Sequence, residues 1–281
     1  MTTLQAIFLG VIQGLTEFLP VSSSGHLAIA ENLLHIRTDG GMLFDVMLHV
    51  GTLSAIFIGF RKDIGMLIGE FIGILSDLVR KIREPDILVI NSAYRRFVLL
   101  IIASTIPTGI LGFAAKDFAE YAGSSLLLPG IGLLITSALL FLADRVGDGR
   151  KSARSATFLD AFEIGMAQGI ATLPGISRSG ATITACLLCG FKKEFAVKYS
   201  FIMSIPAILG ALILELKDIP GSDLPASLIA DCVVGMIVSG IVGFFALKFM
   251  VTVVRRRKYM MFSIYCLVIG AISIGAYFIM K

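Results

Sequence analysis

Two short stretches concentrate the residues able to do chemistry. Glu17 to Leu27 reads EFLPVSSSGHL and sets a carboxylate, the hydroxyls of Ser22, Ser23 and Ser24, and the imidazole of His26 close together. Gln13 lies four residues before Glu17, on the same face of a helix. Pro174 to Thr182 reads PGISRSGAT and surrounds Arg178 with Ser177, Ser179, Gly180 and Thr182. A guanidinium at a loop that opens a helix joins free backbone N–H groups and a positive dipole end, a cradle suited to an oxyanion or a phosphate. On the other stretch His26 can serve as acid or base, and Glu17 as base or metal ligand. Ser23 there can act as nucleophile or as a donor to phosphate. Paired oxygens beside phosphate also suit Mg²⁺ or Ca²⁺.

The elements that must position these groups are membrane helices. The chain has 281 residues, 56% hydrophobic and 16% charged, with a mean hydropathy of +0.90, which excludes an ordinary soluble domain. Membrane lipid is therefore an expected partner, and no nucleic acid is expected. The first apolar run, LQAIFLGVIQGL, lacks a basic flank and a small-residue cleavage site, so the N-terminus is expected to be retained. Six stretches approach the ~20 residues that a spanning helix needs: 43–60, 97–115, 126–143, 199–216, 226–247 and 260–280. The regions 4–35 and 158–190 are also apolar, but PVSSSGH and PGISRSG break them near their middles. Each half is too short to cross, so each region reads as a re-entrant helical hairpin. Irregular backbone at that depth survives only where protein or a wet cavity surrounds it. The segment IGMLIGEFIGILSDLV, 64–79, reads as an interfacial helix.

Basic residues set the orientation. With the segment after the first span inside, 19 of the 24 Lys and Arg fall on the inner side, and Arg37, Lys116, Lys217 and Lys281 fall outside. Arg178 alone is left within the membrane. An offset of 155, from Ser23 to Arg178, then superimposes the two broken regions. Gly10, Gln13 and Gly14 meet Gly165, Gln168 and Gly169, while Ser22, Ser24 and Gly25 meet Ser177, Ser179 and Gly180. Each unit holds one hairpin and three spans, an odd number, so the second unit is inverted. The expected fold is thus an all-α polytopic membrane protein, one domain over 1–281, with six transmembrane helices and two re-entrant hairpins. The inverted repeats cover about 4–143 and 158–281. The hairpins enter from opposite sides and meet at their tips, the first bringing Glu17, Ser23 and His26, the second Arg178. Charges stranded in hydrocarbon are costly, which makes this convergence a functional site.

Other features read more plainly. Gly and Ser in membrane helices usually serve packing, and His49 and His35 read as a span hydrogen bond and a surface residue. Asp45 is a marginal member of the site. Cys186 and Cys189 have metal-like spacing but no second pair, so all four cysteines read as packing residues with neither metal nor disulfide.

On the two motifs together the chain resembles the bacitracin-resistance-type undecaprenyl diphosphate phosphatases. That family's first motif, Glu or Gln, three residues, then Glu, stands here as Gln13 to Glu17 and runs on into FLPVSSSGH. Its second, PGxSRSxxT, stands as Pro174 to Thr182. The resemblance implies dephosphorylation of a C55 isoprenoid carrier diphosphate to the monophosphate, which recycles the carrier of peptidoglycan precursors in a bacterial inner membrane. It implies dependence on a divalent cation, Mg²⁺ or Ca²⁺, with Glu17 as its ligand and Gln13 standing where many relatives carry a second carboxylate. Carried onto this chain, the catalytic residues are Glu17, Ser23, His26 and Arg178. The substrate-binding ones are Gln13, Ser22, Ser24, Ser177, Ser179, Gly180 and Thr182. The site would open to the outer face, and a homodimer is a candidate assembly. The competing reading is a transporter or flippase for a polyprenyl phosphate lipid, since broken helices in inverted repeats also serve alternating access.

Overall fold

The computed structural model describes residues 1–36, 41–82, 90, 92–147, 149–218, 225–255 and 258–280. Arg37, Arg83, Arg256, Arg257 and Lys281 of the charge count lie outside them. The described residues form twelve helices. The first broken region is α1, Thr3–Phe18, and α2, Ser23–Leu33; the second is α8, Phe158–Ile170, and α9, Arg178–Leu188.

The same local chemistry builds both. Thr2 and Thr157 open α1 and α8 with capping boxes to Gln5 and Asp160. The helix α1 stops at Leu19, held extended at φ −69°, ψ 142° by the following Pro20. The hydroxyls of Ser22 and Ser177 then accept the backbone N–H groups of Gly25 and Gly180 and start α2 and α9. The second turn needs glycine at 175, where φ is +88° and a Cβ would lie 2.1 Å from the Pro129 carbonyl oxygen.

Of the expected spans, five are single helices: α5, Ala93–Ala114; α7, Leu127–Arg145; α10, Lys193–Asp218; α11, Ala226–Arg255; and α12, Tyr259–Met280. The remaining one is α3, Gly41–Gly59. It is as long as α7 and is bent by 87° from the helix that follows it, α4, Arg61–Arg80. The expected interfacial segment is thus the second arm of a corner. A short helix, α6, Lys116–Gly123, was not foreseen, because eight residues carry too little periodicity to register.

Contacts along the helices fix their directions. In the α1–α11 pair Thr3 bonds Asp231, and a Cβ on Gly14 would lie 2.8 Å from the Ser239 carbonyl oxygen, so the two run parallel. The helix α3 runs with them, since the Ser239 hydroxyl donates to the Leu48 carbonyl and Gly59 abuts Leu247. In the same way α5 runs parallel to α8, from Arg96 on the Ala156 carbonyl to Thr108 on the Gly165 carbonyl. Tyr199 on the Leu100 carbonyl and Phe97 against Phe195 align α10 with α5. Between α7 and α12 the order reverses: Ser273 bonds Leu126, Ser137 bonds Ser263, and Asp144 accepts from the N–H of Tyr259. The corner between α3 and α4 meets the start of α10 through Phe60 with Phe201 and Asp63 with Lys198. Thus α1, α3 and α11 run towards the end of the bundle that α5, α8 and α10 leave. Lys198 with Asp63, Arg95 with Glu70 and Lys151 with Asp160 all gather at that end.

Candidate active site

Glu17 closes α1, Ser23 opens α2, and Arg178 opens α9. The carboxylate of Glu17 is 5% exposed, and every partner it has here is a donor or a cation. Its Oε1 takes the Nη2–H of Arg178; its Oε2 takes the Ser23 hydroxyl at 2.6 Å and the Gln13 amide at 3.1 Å. A buried ion pair repays its desolvation only when further hydrogen bonds satisfy the remaining lone pairs, and the Ser23 and Gln13 donors supply them. Two buried atoms of the cluster have no partner among the described residues: Arg178 Nη1, a donor, and Gln13 Oε1, an acceptor. Unspent donors and acceptors beside a buried carboxylate are what an incoming phosphate, or a cation riding on it, would use.

The 2.6 Å contact settles which way the Ser23 proton points, because a carboxylate only accepts. Ser23 therefore rests against a base. His26 is placed differently. Its Nδ1 lies 2.8 Å from the Ser22 carbonyl and its Nε2 lies 2.8 Å from the Tyr265 hydroxyl, with the two rings stacked at 5.6 Å and 4°. Both ring nitrogens are thus engaged away from Glu17.

The other expected residues hold the turns. Ser22 and Ser177 cap their helices, Ser24 lies 3.4 Å from Ser22, and Ser177 lies 3.3 Å from Ser179. Ser179 donates to the Leu19 carbonyl, which ties the second tip to the first. Gly180 supplies the N–H that Ser177 caps, and Thr182 bonds the Arg178 carbonyl and Ser200. Gly10 and Gly165, matched by the repeat, are close-approach points against α11 and α5: a Cβ there would lie 2.9 Å and 2.3 Å from carbonyl oxygens of Gly235 and Ser104.

Three contributors escaped sequence reading. His49, read as a span hydrogen bond, does donate from Nδ1 to the Asp45 carbonyl, but its Nε2 also lies 4.0 Å from Glu17 Oε2. Thr136 of α7 donates to the Gly175 carbonyl and accepts the Ser177 N–H, both at 2.8 Å, which pins the turn that presents Arg178. Tyr265 of α12 meets His26. No local pattern marks these residues; only the packing of distant helices brings them in.

The geometry stands beside a clear kinship. The model of the bacitracin resistance protein BacA family matches residues 6–272. A protein named undecaprenyl-diphosphatase from Alkaliphilus metalliredigens is 43% identical over 276 residues, covering 98% of each chain. One of the same name from Carboxydothermus hydrogenoformans is 40% identical, over 96% of this chain and 95% of its own. A third, from Methanosphaera stadtmanae, is 42% identical over 96% of each.

Proposed function

Because the chain belongs to the bacitracin resistance protein BacA family, we infer that it hydrolyses undecaprenyl diphosphate to undecaprenyl phosphate and inorganic phosphate. The protein is a membrane phosphatase. Its substrate is a polyprenyl diphosphate lipid, and its activity belongs to cell-wall synthesis and bacitracin resistance. The flippase reading is not favoured, since the relatives carry the name of a diphosphatase.

The observation that carries the mechanism is the 2.6 Å hydrogen bond from Ser23 to Glu17. We assign Ser23 as the nucleophile and Glu17 as its base. Ser23 Oγ attacks the terminal phosphorus while its proton passes to Glu17. The bond from that phosphorus to the bridging oxygen breaks, and undecaprenyl phosphate leaves. Water then attacks the phosphoserine; Ser23 Oγ departs with the proton held by Glu17, and the phosphate carries away the water oxygen and its protons. Arg178, through Nη1 and through Nη2 once Glu17 is protonated, clamps the phosphoryl oxygens as charge develops. His26, hydrogen-bonded to Ser22 and Tyr265, is an auxiliary acid or base.

The residues also fit a divalent cation, Mg²⁺ or Ca²⁺. Gln13 Oε1 is a buried oxygen without a partner among the described residues, one turn from Glu17, and a hard cation seeks such oxygens together with those of a diphosphate. Gln13 and Glu17 would hold it, and it would neutralise charge on the diphosphate.

Two units related by inversion, one per hairpin, are the reading that the helix directions and the offset of 155 support. The Lys and Arg residues gathered where α3 ends and α10 begins, Arg95, Lys151 and Lys198 among them, support placing that end on the inner side of the bacterial inner membrane and opening the site to the outer face. Glu17, Ser23 and Arg178 come from one chain, so a homodimer is not needed to bring them together. The test is phosphate release from a prenyl diphosphate by purified protein in detergent, where transport has no meaning. Release by the wild type and only a trace from Ser23→Ala is the expected result. Full activity in that variant would remove Ser23 from the chemistry.

A further inference from the structure

His26 meets a residue that no motif contains. The Ser22 carbonyl can only accept, so the proton on the His26 ring sits on Nδ1, which leaves Nε2 with a lone pair facing the Tyr265 hydroxyl at 2.8 Å. The tyrosine therefore donates. Its neighbour Cys266 turns its thiol 3.8 Å from the Pro20 carbonyl, so consecutive residues of α12 meet both flanks of the α1–α2 turn. Tyr265 is 42% exposed on a helix whose other large exposed side chains, Phe278 among them, are all apolar, and a phenylalanine would suit that face better. Among the described residues the partner of this hydroxyl is His26 Nε2.

We propose that Tyr265 is a positioning residue for the phosphatase reaction, acting through His26. By donating to Nε2 it occupies that lone pair and, together with the Ser22 carbonyl on Nδ1, holds the imidazole in one tautomer and one orientation beside Ser23. The stacked rings fix its plane. The inference rests on the reading above that His26 belongs to the site.

Two measurements on the full-length protein in detergent test it. The chain has three histidines, His26, His35 and His49, so ¹⁵N-histidine labelling gives few ring signals, assigned with His35→Gln and His49→Gln. In Tyr265→Phe, which keeps the ring and removes the hydroxyl, the His26 Nε2 resonance should move towards that of an acceptor without a hydrogen bond. An unmoved resonance overturns the proposal whether or not the protein turns over. The second is a double-mutant cycle on phosphate release from a prenyl diphosphate. Tyr265→Phe should lower kcat/KM about three- to tenfold in the wild-type background. It should make no further difference in His26→Ala. Equal losses in both backgrounds would mean that Tyr265 acts elsewhere. No phosphate release from the wild type would instead indict the functional reading and leave the resonance result to judge Tyr265.

Discussion

Glu17 takes three donors on one buried carboxylate, and each can be removed separately. Glu17→Gln keeps the shape and deletes the charge; turnover should fall by more than tenfold while the protein stays folded, measured as phosphate release beside a melting profile. Activity within about threefold of wild type would be less than the ~1.4 kcal/mol that a tenfold change represents, and would make Glu17 structural. Arg178→Lys keeps the charge but loses the planar fork, and an ammonium is a shorter, strongly hydrated point donor. One lost charge-assisted bond, roughly 1.5–3 kcal/mol, corresponds to about a tenfold to 150-fold fall in kcat/KM. Arg178→Ala differs in kind, since it strands Glu17 in the interior, and breaking a buried pair costs about 3–5 kcal/mol. Thermal stability should therefore drop sharply in the alanine variant and little in the lysine one. Equal melting profiles would mean that the pair does not form.

The elements explain why those residues meet. Gly175 holds a positive φ with no room for a side chain, so Gly175→Ala should misplace Arg178. The expected result is a loss of turnover larger than the loss of melting temperature, and a fully active variant would show that the turn does not set Arg178. Much of this was legible in the chain. The offset between the broken regions carries α2, Ser23–Leu33, onto α9, Arg178–Leu188, residue for residue, because equivalent serine caps and glycines start both. The meeting of Glu17, Ser23 and Arg178 was legible for the same reason: the segments that break the helices also carry these polar side chains. A span over 43–60 and a separate helix over 64–79 were legible too; the 87° bend between α3 and α4 was not, because it is set by what α4 packs on, with Asp63 reaching Lys198 and Glu70 reaching Arg95. His49 and Tyr265 were illegible as site residues. A histidine in a span looks like any other until α3 is laid against α1, and Tyr265 lies 239 residues from its partner.

For the whole molecule the claim is that hairpins entering from opposite directions share one site. The orientation has its own check. Thr2 and Lys62 are exposed at opposite ends of the bundle, so a membrane-impermeant thiol reagent on intact cells should label Thr2→Cys and spare Lys62→Cys until the cells are opened. The parent protein with its four native cysteines serves as the blank. Equal labelling of both positions would reject the topology. The mechanism itself is reached most directly by quenching the protein during turnover of a prenyl diphosphate labelled in its terminal phosphate, and mapping the label. The account predicts phosphoserine at Ser23, absent in Ser23→Ala and strongly reduced in Glu17→Gln and Arg178→Lys. Label on His26, or no covalent species under trapping efficient enough to capture one, would contradict it.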